Sequence, residues 1–190
     1  MAIFCHRAVI ALPFHFIRMH PLVPVADLSQ NFLDREPVLS LTGVIERVDT
    51  LLKFAKRADA VACYQYWIAQ SESHDKYVAW FNLGVLLAEQ RDVVGAQDAY
   101  DACIALRPDF AQARINLGLL KERQKDFNSA LEQWGAVVAS EFLLHSASVE
   151  HRVVALNHIG RVHEISKQFD KAEQALLQSL RLKPKQADAI

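Results

Sequence analysis

Three closely spaced histidines, His151, His158 and His163, are the residues whose type would suit a metal ion. Their separations of seven and five do not give the i, i+4 pair with which a helix presents two imidazoles to one zinc. His163-Glu164 likewise does not open an HExxH motif. The reading is a surface His151, a ligand-facing His158 and a His163 packed between helices, with no metal. Three cysteines, Cys5, Cys63 and Cys103, are odd in number, far apart and without CxxC spacing. That argues against a disulfide framework and a thiolate metal site, and points to a reducing cytoplasm. No glycine-rich phosphate loop, GxSxG elbow or cysteine–histidine nucleophile motif occurs, so no catalytic residue and no cofactor is expected. The remaining chemistry is amide chemistry. Asn82 and Asn116 each stand directly before a Leu-Gly pair, with His158 at the corresponding place before Ile159-Gly160. An Asn side chain offers an acceptor and a donor side by side, which pairs with one peptide unit of an extended ligand without reading its side chains. The competing role for such an Asn is a bond to a neighbouring helix.

The composition agrees with a partner-holding protein. In 190 residues, 52% hydrophobic, there is ample material for a core, and 21 basic residues nearly cancel 22 acidic ones. No broad positive field exists to attract nucleic acid or an anionic membrane. Residues 1–37 read differently, with Pro13, Pro21, Pro24 and Pro37 around the apolar run Ala8 to Ile17. That run resembles a signal-peptide core, but Pro13 and His15 interrupt it and no small-x-small cleavage site follows. It is also too short to span a bilayer. Two readings stay open: an export signal and, favoured by those missing features, a poorly ordered leader or a start assigned too early, with Met19 the true initiator.

The elements that must position the amides are announced by an internal period. Trp80, Leu83, Gly84, Leu87, Ala96, Tyr100, Cys103 and Pro108 recur after 34 residues as Arg114, Leu117, Gly118, Lys121, Ala130, Trp134, Val137 and Phe142. A third copy, Leu156, Ile159, Gly160, His163, Ala172, Leu176, Ser179 and Pro184, follows after 42 residues, so eight extra residues precede it. Upstream, Ala62, Tyr66 and Ala69 lie 34 residues before Ala96, Tyr100 and Cys103 and suggest a divergent copy over 38–76. Each copy reads as two amphipathic helices joined by a polar turn such as Glu89-Gln90-Arg91-Asp92. Gly84, Gly118 and Gly160 cost helix propensity, which is sensible only where a neighbouring helix must come close. Pro108 and Pro184 end their helices.

These anchors resemble the tetratricopeptide repeat (TPR) family over roughly residues 40–186. The resemblance implies an all-α fold, a right-handed solenoid of antiparallel hairpins. The copies fall at 38–76, 77–110, 111–152 with an extended connection, and 153–186; residues 187–190 open a truncated further helix. First helices of successive hairpins then line a groove that takes a protein or peptide segment. The groove set is Phe81, Asn82, Val85 and Glu89 from one copy, Gln112, Ile115, Asn116, Leu119 and Arg123 from the next, and Asn157, His158 and Arg161 from the last, with Val78 and Ile165 beside them. Phe81 and Val85 depart from the lysine and amide of the carboxylate clamp of TPR co-chaperones, which argues against chaperone C-termini as ligands. The stretches Val154 to Arg161, Lys167 to Glu173 and Ser179 to Pro184 further resemble the TPR arm of bacterial SPINDLY-like O-linked N-acetylglucosamine transferases. That implies a substrate-recruiting arm without its catalytic region. The alternative is a free-standing adaptor. The open end after the last copy leaves an apolar surface available for self-association.

Overall fold

The computed structural model of the chain describes residues 40–140 and 146–183. The chain divides into two units, Met1–Pro37 and Val38–Ile190, and all described residues belong to the second. The expected leader, Cys5, the anchors Phe142 and Pro184, and the opening of a further helix at 187–190 lie outside the described residues. Eight helices and no strand make up the described part: α1 Leu41–Lys53, α2 Arg57–Gln70, α3 Lys76–Glu89, α4 Val93–Leu106, α5 Ala111–Arg123, α6 Phe127–Ala139, α7 Ser146–Ile165 and α8 Phe169–Leu182. Each odd-numbered helix packs most heavily on the even-numbered helix after it, giving four antiparallel hairpins. Every hairpin then packs on the next through α2·α3, α4·α5 and α6·α7, while α5 touches both α3 and α7.

The turn inside each hairpin is built the same way. Ala55, Arg91, Lys125 and Lys167 have φ of 59°, 64°, 64° and 57°, one left-handed residue per hairpin. The amide after each reaches back over the helix end: Lys56 N–H donates to the Leu51 carbonyl, Asp92 to Leu87, Asp126 to Lys121 and Gln168 to His163, at 2.8 to 3.0 Å. This satisfies orphan carbonyls of the first helix and reverses the chain in three residues. Asp92 and Asp126 then cap the following helix, accepting from Gly95 N–H at 3.0 Å and Ser129 N–H at 3.2 Å.

The first hairpin differs from its expected register. The buried residues of α2 are Ala60, Cys63, Tyr64, Trp67 and Ile68, whereas Ala62 and Ala69 are exposed and Tyr66 only half-buried. Ala60 and Tyr64 stand 36 residues before Ala96 and Tyr100. The two additional residues fall in the connection Ser71–Asp75, where the Ser71 and Ser73 hydroxyls each accept a backbone N–H at 3.1 Å. The eight extra residues before the last copy also fall differently. They chiefly lengthen α7, which begins at Ser146, so the expected boundary at 152/153 lies within a helix. Arg152 in this added turn donates from Nη2 to the Ser140 carbonyl, and Glu150 pairs with Lys183 at 3.1 Å.

Close approach explains the repeated glycines. A Cβ on Gly84 would lie 2.7 Å from Tyr100 Cε1, one on Gly118 would overlap the Trp134 indole, and one on Gly160 would touch Leu176 at 3.0 Å. Gly135, by contrast, has nothing within 4 Å. Gly118→Ala is therefore expected to destabilise the protein by about 1 to 3 kcal/mol through overpacking against Trp134. Gly135→Ala should stabilise it by about 0.5 to 1 kcal/mol through helix propensity. Urea denaturation of the two variants measures both signs at once.

Candidate functional site

Helix periodicity sorts the side chains of α3, α5 and α7 into faces. In α5, Ala111, Ile115 and Gly118 are buried on one flank, and Ala113, Leu117 and Leu120 on another. Between them Gln112, Asn116, Leu119 and Arg123, spaced i, i+4, i+7 and i+11, form a partly exposed row. The corresponding row of α3 is Val78, Asn82, Val85 and Glu89, and that of α7 is Val154, His158, Arg161 and Ile165. Because α5 lies beside both α3 and α7, the three rows run next to one another. In α3 and α5 exposure rises along the row, from buried Val78 and half-buried Gln112 to exposed Glu89 and Arg123, whereas in α7 Val154, Arg161 and Ile165 are exposed and His158 is half-buried.

Two residues of the expected groove, Phe81 and Ile115, leave this surface, while Asn157 in the same column stays exposed. Phe81 and Ile115 are 4% and 8% exposed, and Asn157 accepts a hydrogen bond from Ser179 Oγ of α8 at 2.7 Å. All three occupy one column, the residue before the amide position. One residue is 100° of helix, enough to turn that column from the free face toward the second helix of its own hairpin. There Phe81 tilts against Tyr100 of α4, centroids 6.2 Å apart, and it also packs edge-on against Phe110, the residue before α5, at 5.2 Å. Val154 enters the surface in exchange. Its place is legible from the 42-residue step that carries Gln112 to 154.

Two of the three amide positions, Asn82 and His158, have structural partners. Asn82 shares a side-chain hydrogen bond with Tyr64 of the preceding hairpin. His158 stacks on Trp134 of the preceding hairpin, centroids 5.0 Å apart and planes 20° apart. Arg161 Nη2 donates to His158 Nδ1 at 3.0 Å and to Glu122 Oε2 at 2.5 Å, so α7 is tied to α5 by charge as well as by packing. An arginine can only donate, which makes His158 Nδ1 the acceptor and places the imidazole proton on Nε2. Burial, with Arg161 adding to it, holds the His158 pKa down to about 4. At neutral pH the side chain is an uncharged aromatic plate.

The remaining titratable candidates do not form reactive groups. Cys63 and Cys103 are buried free thiols; burial raises both pKa values, that of Cys103 to about 12, so the nucleophilic thiolate is suppressed. His163 Nδ1 lies 3.0 Å from Gln168 Oε1 across the turn, and half-buried His151 has its pKa lowered by burial. Among the described residues no group of three or more His, Cys, Asp or Glu side chains gathers to hold a metal ion. No helix among them is long and apolar enough to cross a membrane.

Stacked helical hairpins, the second and third with a glycine–aromatic contact and the fourth with glycine against leucine, and a shared row of first helices define a repeat scaffold of the helix–turn–helix class. The tetratricopeptide repeat family model matches residues 45–102 and 92–143, and a second tetratricopeptide repeat model matches 153–186. The chain belongs to the tetratricopeptide repeat family. No curated protein matches its sequence. Among solved structures it is similar to MamA at 19% identity, covering 84% of this chain and 86% of that one with a TM-score of 0.65. It is also similar to BtubC (BKLC) from P. vanneervenii at 17% identity, 74% and 61% coverage and a TM-score of 0.63. Such likeness establishes the fold.

The His158 environment gives a pH dependence of known sign. A histidine whose folded-state pKa lies below its ordinary 6.5 takes up its proton on unfolding. The associated stability is full above about pH 6.5 and declines as pH falls toward 4. His151 contributes with the same sign. Urea midpoints measured from pH 7 to pH 4 should fall for the wild type and fall less for His158→Asn, the difference between the two curves isolating His158.

Proposed function

We propose that this chain is a non-catalytic adaptor that holds an extended segment of a partner protein across the rows of α3, α5 and α7. The observation that carries the reading is the adjacency of those rows, which places Val85, Leu119, Asn116 and Arg161 along one partly exposed surface. The chemistry offered is mixed. Apolar side chains alternate with amides, and Arg123 supplies an exposed positive charge while Glu89 is engaged by Arg57 at 3.2 Å. A ligand that suits it is an extended polypeptide with small apolar side chains and an acidic residue toward the α5 C-terminus.

Asn82 retains hydrogen-bonding capacity beyond its bond to Tyr64, since an amide has two donors and an acceptor with two lone pairs. It can therefore hold the preceding hairpin and a ligand peptide unit together. His158, neutral with a proton on Nε2, offers a donor at the corresponding place. The narrower proposal, that the chain is the recruiting arm of a SPINDLY-like transferase and the held segment a glycosylation substrate, rests on the sequence stretches of the fourth hairpin alone. The rows require no catalytic partner, so the adaptor reading has the wider support.

The test is selection of binders from a displayed library of random extended peptides, followed by anisotropy titration of the best. Asn116→Ala combined with Leu119→Asp should weaken binding at least tenfold, while Val94→Asp, on the exposed side of α4, should leave it unchanged. Binders indifferent to the row substitutions, or no binders from the library, would overturn the proposal.

A further inference from the structure

We infer that the junction of α5 and α7 is the acid-accepting point of this surface, where a Glu or Asp side chain of the bound segment seats on the guanidinium of Arg161 and the Nε2–H of His158. The inference rests on the adaptor reading and names the contact that fixes the segment's register. The rows carry two cations, Arg123 and Arg161. Arg123 is exposed at the end of α5, where a charge pair made by a freely moving side chain contributes little. Arg161 is held in place. Its Nη2 donates to Glu122 Oε2 at 2.5 Å and to His158 Nδ1 at 3.0 Å, so the side chain is fixed between two helices before a ligand arrives. Exposure is divided unequally in the ion pair, 13% for the Glu122 side chain and 44% for that of Arg161. An approaching segment therefore meets the cation ahead of the carboxylate. Both bonds leave from Nη2, so the N–H groups of Nη1 remain for a second carboxylate.

His158 supplies the other contact. Its Nδ1 accepts from Arg161, so the proton sits on Nε2, and that N–H meets no acceptor among the described residues. The ring lies on the Trp134 indole and is uncharged at neutral pH, so it sets a donor beside the guanidinium without repelling it. Both side chains lean back on the third hairpin, through Trp134 and Glu122, which places this point inside the array. The same two columns hold Asn82 with Val85 in α3 and Asn116 with Leu119 in α5, amides and apolar surface without a cation. Neighbouring helices lie about 10 Å apart and an extended chain advances about 3.3 Å per residue, so roughly three residues separate one helix from the next. The segment that fits carries apolar side chains about three and about six positions from its acid.

The experiment selects binders from a displayed library of random extended peptides and remakes the best with both termini blocked, so that only side chains bear carboxylates. Changing its acidic residue to the amide should weaken binding about tenfold against the wild type, as loss of a charge-assisted contact does, and hardly at all against Arg161→Gln, read by anisotropy. Glu122→Gln combined with Arg161→Gln leaves no unpaired carboxylate and should behave like Arg161→Gln, with circular dichroism confirming the fold of both. Arg123→Gln should keep the preference for acid even where it lowers overall affinity. A preference that survives loss of Arg161, or one that Arg123→Gln removes, would overturn the inference, as would selected binders that carry no acidic residue. In each of those cases the adaptor reading still stands if Leu119→Asp abolishes binding. A library that yields no binder overturns both.

Discussion

In the last three hairpins the large side chain of the second helix, set against the glycine of the first, is the contact on which the array depends. Trp134 shows its full reach. It rests on Gly118 of its own hairpin, its indole N–H donates to the Ile115 carbonyl at 3.2 Å, and its ring carries His158 of the next hairpin. One side chain thus fixes the spacing within a hairpin and the seat of its successor. Tyr100 closes on Gly84 in the same way, and Tyr64 meets Asn82. An α-helix with a bare glycine at this place loses about 1 kcal/mol of propensity. The aromatic surface buried in return far exceeds that cost.

Given these junctions, the free surface follows from helix geometry. Two flanks of each first helix are taken, one by its own hairpin and the other by its neighbour, so one row at i, i+4, i+7 and i+11 is left to face outward. This surface is what packing leaves over, and the core constrains its chemistry only in part, as where Leu119 packs against the cluster around Trp134. That is why Asn116, Leu119 and Arg123 differ in kind from Asn82, Val85 and Glu89 while the Leu-Gly anchors beside them repeat.

The anchors made the helical hairpins of α3 to α8 legible in the sequence, because glycine, alanine and a large residue at fixed spacing have a direct steric cause. Legibility failed where a cause was absent. In the first hairpin Val48 stands where the others have glycine, and a longer connection at Ser71–Asp75 moved the true anchors two residues from the constant period. Within the surface, the error was one column. Phe81 and Ile115 adjoin the amide positions in sequence, yet a 100° step buries them in the hairpin, while Asn157 in the same column stays exposed and accepts from Ser179. Polarity gave no warning, since Phe81 and Val85 are both apolar and only their angular position separates inside from outside.

In the proposed reading the amide position would carry a ligand contact beside its structural one, which would link binding to the stacking of hairpins. Asn82 bonds to Tyr64 and His158 stacks on Trp134, so a ligand that draws either residue outward loosens the junction between consecutive hairpins. A ligand that leaves them in place adds contacts to an ordered surface and stabilises the junction by mass action. The second mode costs less, because moving His158 also releases Arg161 from Nδ1 while its bond to Glu122 remains. In the proposed reading Val85 and Arg161, beyond the amide, are the part of the rows that varies with the ligand, and the amide column is the fixed edge against which a bound segment would be registered.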